Sequence, residues 1–370
     1  MNVPLYGVRS SAAARSMIEQ VLASGRIAGG EKVAEFESLL GSYLGNDLTL
    51  STSDLPASVT MSLYLAGVRP GDEVVCSPMV CLATSMPINT LFARTRWCDV
   101  NPNTGNIDPA SLADVVTEKT KAVLVFHWGG MPADLTAICD IAHSAGARVV
   151  DDASESLGTE LSGRKLGATG SDFTCFSFYP NKPLSTGPDG GAISFRDPEL
   201  YERARWMRRF SIHQPSFRTV DGEINPESDI SEPGWSSALS NLGAALGVAQ
   251  FEALAEVVER ARDTARFYDS TLASVPGVNL VEGPSDARPA PWIYTLLAER
   301  RDVLMAKLKA AGVQASRVHL RNDLYSCFDA DRVELPGVDA FTQRALSVPC
   351  GWWVTNEQRQ YVVDTIKTGW

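Results

Sequence analysis

Between Leu48 and Asp152 the chain alternates short apolar runs with helix-period stretches, and this alternation narrows the fold more than any other feature. Leu48–Thr52, Glu73–Ser77, Arg94–Asp99, Ala122–Trp128 and Ala147–Asp152 read as strands. Ala57–Ala66, Cys81–Phe92 and Asp134–Ala145 read as helices among them. Strands alternating with helices form a mainly parallel sheet covered on both faces. Such sheets bind ligands beyond the carboxyl ends of their strands. Asp99, Trp128 and Asp152 fall at those ends, which predicts a shared cleft.

Two helices precede the alternation. Ser10–Ala23 is capped by Ser10 or Ser11 and stopped by Gly25; Glu31–Leu44 carries Val33, Phe36, Leu39, Leu40 and Tyr43 on one side. After it, the runs Phe173–Phe178 and Ala192–Phe195 flank a loop rich in Pro and Gly. Pro198–Arg209 is helical, and Ser211–Gly234 is a polar stretch without periodicity, of a length that points to function or partner contact. Ser237–Tyr268 is expected as one long helix linking a large domain to a smaller one. The remainder runs strand (Pro291–Ala298), helix (Arg301–Ala311), a strand-like Gly312–Leu320, an irregular stretch and a last helix from Asn356. A chain of 370 residues suits two domains. The expected division is 1–250, including the N-terminal helices, and 251–370.

Composition excludes several classes. A net charge of −11 and a pI near 5.0 argue against nucleic acid or an anionic membrane as main partner. The seven cysteines are scattered and lack CxxC spacing, which predicts reduced thiols in a cytoplasmic protein. The four histidines lack metal-ligand spacing, so no metal is expected. MNVPLYGVRSS has no apolar core of a secretory signal, and no run approaches membrane-spanning length.

The chemistry centres on Lys182, in the loop after Phe173–Phe178. An amine just past a buried strand loses proton affinity by desolvation and becomes a candidate imine former. Asp152 ends an apolar strand; Asp151, adjacent in an extended chain, faces the other way. A strand-end carboxylate and a loop lysine are the two protein groups that pyridoxal phosphate needs, one for its ring nitrogen and one for its aldehyde. Singly, each has a plainer reading: Lys182 as a solvated loop lysine, Asp152 as a cap of the next turn. His127 and Trp128 suit core packing or a substrate wall, Arg321 an ion pair with Asp323 or a substrate contact. Trp352 and Trp353 suit core or dimer packing.

The stretches GRIAGGEKVAEFE, RPGDEVVCSP, LATSMPI, CDVNPNTGNIDP, VFHWGGMPADL, VVDDASESLG, DFTCFSFYPNK and GPDGGAI carry a resemblance that spans nearly the whole chain. So do VHLRND, LPGVDAF, PCGWWV and IKTGW near its end. The chain resembles the DegT/DnrJ/StrS family of sugar aminotransferases, of the aspartate-aminotransferase-like fold. The resemblance implies an α/β protein: a large domain with a mainly parallel seven-stranded sheet covered by helices, and a small C-terminal α+β domain. It implies pyridoxal 5′-phosphate as cofactor, with Lys182 as imine lysine, Asp152 on the pyridine nitrogen, Ser177 on the phosphate and Glu155 near the 3-oxygen. It places His319 and Arg321 on the substrate side and implies a homodimer with sites at the interface.

Departures from the family pattern are concentrated at the phosphate. Relatives carry a Ser-Gly-Thr turn ahead of the helix before PGDEV; here Leu55 and Pro56 replace its Gly-Thr, and Asp54 adds a negative charge. Proline has no N–H and leucine no hydroxyl. Ser236 and Ala238 replace an Asn or Lys and an Arg, and Cys81 stands where a ring-stacking aromatic is usual. Ser53, Ser177 and Ser236 are the hydroxyls left to hold a phosphate. The expected activity is transamination of a keto-sugar or cyclitol, often nucleotide-linked in relatives, with glutamate or glutamine as donor. The alternatives are elimination, epimerisation or condensation on the same fold, or a catalytically silent subunit or binding protein.

Overall fold

The computed structural model describes residues 1–328 and 333–370. The chain opens with helices α1 (Ala12–Ser24) and α2 (Glu31–Leu44). Ser11 caps α1 by accepting from the Ala14 N–H, and Gly25, at φ 69°, ends it in the left-handed region that glycine tolerates. Strands and helices then alternate: β1 (Thr49–Thr52), α3 (Leu55–Leu65), β2 (Glu73–Cys76), α4 (Leu82–Thr90), β3 (Arg94–Trp97) and α5 (Pro109–Val115). They continue through β4 (Thr120–Phe126), α6 (Leu135–Ser144) and β5 (Arg148–Asp152). The short β6 (Glu160–Leu161) and β7 (Arg164–Lys165) precede β8 (Phe173–Ser177) and β9 (Gly191–Phe195).

Seven strands form one sheet in the order β1-β9-β8-β5-β4-β2-β3. The pairs from β8 to β3 are parallel, and β9 runs antiparallel to both β8 and β1. No helix lies between β8 and β9, so the chain returns antiparallel instead of crossing over. Along β4 the side chains divide strictly by face: Ala122, Leu124 and Phe126 join one core, Val123 and Val125 the other. The first core packs beneath α3, α4 and α7 (Pro198–Met207); the second packs beneath α2, α6 and α9 (Asn241–Phe251). Helix α8 (Gln214–Phe217) and the bridge between Arg218 and Ile224 give the 211–234 stretch local order.

The sequence predicted one helix over Ser237–Tyr268; the structure has two. Ser240 caps α9, and α10 (Leu254–Leu272) starts after a break at Ala253 (φ −99°, ψ 0°). The three-stranded sheet β10 (Val278–Leu280), β12 (Tyr294–Ala298) and β13 (Ala345–Val348) follows, with β11 (Ala287–Arg288) pairing on β6. Helices α11 (Arg301–Ala310) and α13 (Asn356–Lys367) share a separate core with this sheet; α12 (Pro336–Arg344) lies between them in sequence. Gly312–Leu320 is not a strand: it contributes isolated bridges at Val313 and Ser316, and Val318 turns with φ 64°. Among the described residues, no helix is long and apolar enough to cross a membrane.

Candidate active site

Asp152 is the last residue of β5 and fully buried. Its neighbour Val150 joins the α3/α4 core and Val149 the opposite one, so Asp151 and Asp152 leave the strand on opposite faces. Asp151 lies 2.6 Å from His127 Nε2, both fully buried. His127 Nδ1 accepts from the Ala133 N–H, which assigns the ring proton to Nε2, facing Asp151. Asp152 accepts from Thr84 Oγ1 (2.6 Å), on α4, and from the Ser154 N–H (2.9 Å). Burial pushes its carboxyl above the ordinary value, opposed by those hydrogen bonds and by the Lys182 charge.

Lys182 follows β8 in a turn closed by its N–H on the Tyr179 carbonyl (2.9 Å). The side chain is buried, with Nζ 3.5 Å from the Trp292 ring centroid and 4.0 Å from Glu155 Oε1. Burial lowers its proton affinity; Glu155, Asp152 and Cys81 pull the other way. Glu155 accepts from His319 Nε2 (3.0 Å) and the Gly129 N–H (2.9 Å). Burial pushes the Glu155 carboxyl up, but these donors and Lys182 outweigh it and hold the carboxyl below its ordinary value. Trp128 meets the His319 ring edge-on at 5.5 Å and donates from Nε1 to Thr295. Cys81 stands at the N-terminus of α4; burial pushes its thiol up, and Glu155, Asp152 and Lys182 all act on it. Arg321 is committed elsewhere, to Asp323 (2.6 Å) and Asp339.

The phosphate-side candidates also come together. Across the sheet Ser177 pairs with Gly191, and Gly191 with Thr52. Ser53 follows, its N–H donating to the Ser237 carbonyl (2.7 Å) and its hydroxyl to Asp54 Oδ2 (2.7 Å). Asp54 Oδ1 accepts from the Ala57 N–H (2.7 Å), so Asp54 is the cap of α3. Ser177 Oγ accepts from the Tyr179 N–H at 3.4 Å, and Ser236 is exposed beside Arg209.

Sequence reasoning missed Trp292, Tyr6 and Thr84. Tyr6 stacks on Trp292 (4.9 Å between centroids), and Trp292 Nε1 donates to the Asn181 carbonyl (2.9 Å). Burial, then Glu155 and Cys81, push the Tyr6 hydroxyl up, which places it with this cluster. Thr84 lies in LATSMPI, one of the stretches that carry the resemblance; nothing local marks Tyr6 or Trp292. Asp99, predicted for the cleft, instead accepts from the N–H groups of Gly337 and Val338 (both 2.8 Å) at the start of α12.

The family model for the DegT/DnrJ/EryC1/StrS aminotransferase family matches residues 9–367. The chain belongs to that family. It is similar to the sugar aminotransferase CalS13 of Micromonospora echinospora: 36% identity, TM-score 0.94, all of both chains covered. It is 29% identical to the dTDP-3-amino-3,4,6-trideoxy-alpha-D-glucose transaminase of Streptomyces venezuelae, over 95% of this chain and 90% of that one. It is 30% identical to the erythromycin biosynthesis sensory transduction protein EryC1 of Saccharopolyspora erythraea, over the whole of both.

Aminotransferases of this family depend on pyridoxal phosphate and act on small-molecule sugars. Two ends of that cofactor meet different receptions here. At the ring end, a buried amine of lowered proton affinity and a buried, oriented carboxylate act on one another, which fits an aldehyde and a pyridine nitrogen. At the phosphate end, a carboxylate caps the helix N-terminus that would otherwise receive the anion, which does not fit a dianion.

Proposed function

We propose that this chain is a pyridoxal-phosphate-dependent aminotransferase that aminates a keto-sugar or cyclitol, with glutamate or glutamine as donor. Bound cofactor supplies the aldehyde carbon and electron-withdrawing ring through which the amino group passes. Lys182 is the covalent anchor and the proton carrier: burial lets its amine be neutral, and Glu155 keeps it within reach of a proton. Asp152, fixed by Thr84, would hold a proton on the ring nitrogen of a bound cofactor. Glu155, oriented by His319 and the Gly129 N–H, would face the ring's 3-oxygen. Trp292 and Tyr6 shield the Lys182 amine from water. His319 and Trp128 form the substrate side; Ser53, Ser177, Ser236, Asp54 and Cys81 border the cofactor.

The single observation that carries this reading is the burial of the Lys182 amine, 4.0 Å from Glu155 Oε1, together with the fully buried Asp152 carboxylate that Thr84 holds at the end of β5, because an amine and two carboxylates are costly to bury without a function. The substrates are those of secondary-metabolite or surface-sugar synthesis, the enzyme is cytoplasmic, and it works as a homodimer with interface sites. The proposed domains are residues 1–250 and 251–370, a division close to the break between α9 and α10. The test is the absorbance of purified protein with added pyridoxal phosphate, before and after glutamate. A visible band that glutamate shifts, and that Lys182→Ala removes, is expected. Protein that stays colourless with excess cofactor would sink the proposal. One observation favours a second reading, a silent member of the family: the carboxylate at the start of α3. That reading predicts no glutamate response.

A further inference from the structure

Asp54 occupies the place of an anion. Helix α3 starts three residues beyond Thr52, which lies in register with Gly191 and, through it, Ser177. A helix start at this point offers a dianion unpaired N–H groups and a positive dipole end. Here those donors are taken. Pro56 has no N–H, Ala57 donates to Asp54 Oδ1, and Ser58 donates to the Asp54 carbonyl (3.2 Å). That leaves at most Leu55. The Ser53 hydroxyl is held by Asp54 Oδ2.

Charge points the same way. Burial, and then the Asp54 carboxylate, push the Asp189 carboxyl above its ordinary value, so a second acid faces the first. Arg208, which reaches the end of β1, is committed to Glu37 Oε1 (2.5 Å) and the Ser51 carbonyl (3.0 Å). A phosphate placed at this corner meets like charge and few donors.

We infer that the Asp54 carboxylate replaces the cofactor phosphate, so the pocket binds pyridoxal, with its uncharged 5′ arm, as tightly as pyridoxal phosphate. This rests on the cofactor reading proposed for Lys182 and Asp152, and concerns only what the 5′ arm contributes.

The experiment is isothermal titration of the cofactor-free full chain with pyridoxal and with pyridoxal 5′-phosphate. The two dissociation constants are expected to agree within about threefold. Asp54→Asn keeps the cap and removes the charge, and should tighten the phosphorylated compound by about tenfold or more while leaving pyridoxal within threefold. Asp54→Ser, also a good cap, should act in the same direction and guards against a folding defect in the first variant. Wild-type protein that binds the phosphorylated compound more than about tenfold tighter than pyridoxal overturns the inference. So does Asp54→Asn with unchanged preference. If neither compound binds the wild type or either variant, the cofactor reading itself falls and takes this inference with it. If the wild type binds pyridoxal and only the variants bind the phosphorylated compound, the two wild-type affinities are unequal and the inference is overturned.

Discussion

Glu155 is the residue on which the buried charges balance. It receives two hydrogen bonds and lies 4.0 Å from Lys182 Nζ. Its negative charge favours the ammonium form of Lys182, against burial, which favours the neutral amine. Removing that charge therefore leaves burial less opposed, and the amine loses its proton at lower pH. Glu155→Gln is expected to move the rising limb of Lys182 acylation against pH towards acid, followed by mass spectrometry of its peptide in cofactor-free protein. The sign is fixed because only the neutral amine reacts; a limb that stays put or moves towards alkali would show that Glu155 does not face the amine. His319 should respond in turn. The amide oxygen of the variant can still accept the His319 N–H, so that hydrogen bond is kept but loses its charge assistance.

At the scale of elements, the boundaries written into the sequence are those with a local chemical cause. Helix α2 was legible end to end because Gly45 closes it at φ 78°. The central strands β4 and β8 were legible because nearly every side chain on both faces is buried, which leaves largely apolar runs. The single helix predicted over Ser237–Tyr268 failed because α9 carries small residues that serve a neighbour, and periodicity does not show where one helix stops and the next begins. Gly247 is the clearest of these. A Cβ there would lie 2.4 Å from the Phe36 ring and 3.0 Å from Thr186 Cγ2. Gly247→Ala gains about 1 kcal/mol of helix propensity. Overpacking against a fully buried ring costs about 1–3 kcal/mol, so a net loss of stability is expected. Urea denaturation measures it; a stabilised variant would mean that α2 can move aside. Phe36→Leu in the same background should recover part of the loss, because it trims the ring that the new methyl meets.

Across the whole molecule, Asp99 joins parts that sequence reasoning kept apart. Its position just beyond β3 predicted a place in the cleft, but cap geometry involves residues 238 and 239 positions away, which no local pattern reveals. Sequence separation likewise hid Trp292 from any reading of Lys182, whereas Lys182 and Asp152 were legible as candidates because one follows a recognisable strand and the other ends one. Asp99 accepts from Gly337 and Val338 at 2.8 Å each, and so docks the N-terminus of α12 on the edge of the large sheet. A Cβ at Gly337 would lie 1.9 Å from the Val100 carbonyl, so the approach depends on glycine. Arg321, held by Asp323 and by Asp339 of the same helix, ties α12 in turn to the segment that carries His319. Removing the Asp99 carboxylate thus frees two helix-end donors and loosens a path that leads to the site. Asp99→Ala is expected to cost about 1–2 kcal/mol in urea denaturation, as lost caps do. Hydrogen exchange should place the loss: the Gly337 and Val338 amides exchange faster, while the amides of β4 and β5 keep their protection. Uniformly faster exchange would assign Asp99 to the stability of the large sheet instead. Asp99→Asn, which keeps one acceptor oxygen, should recover part of the protection, because the N–H groups of α12 need an acceptor there more than they need a charge.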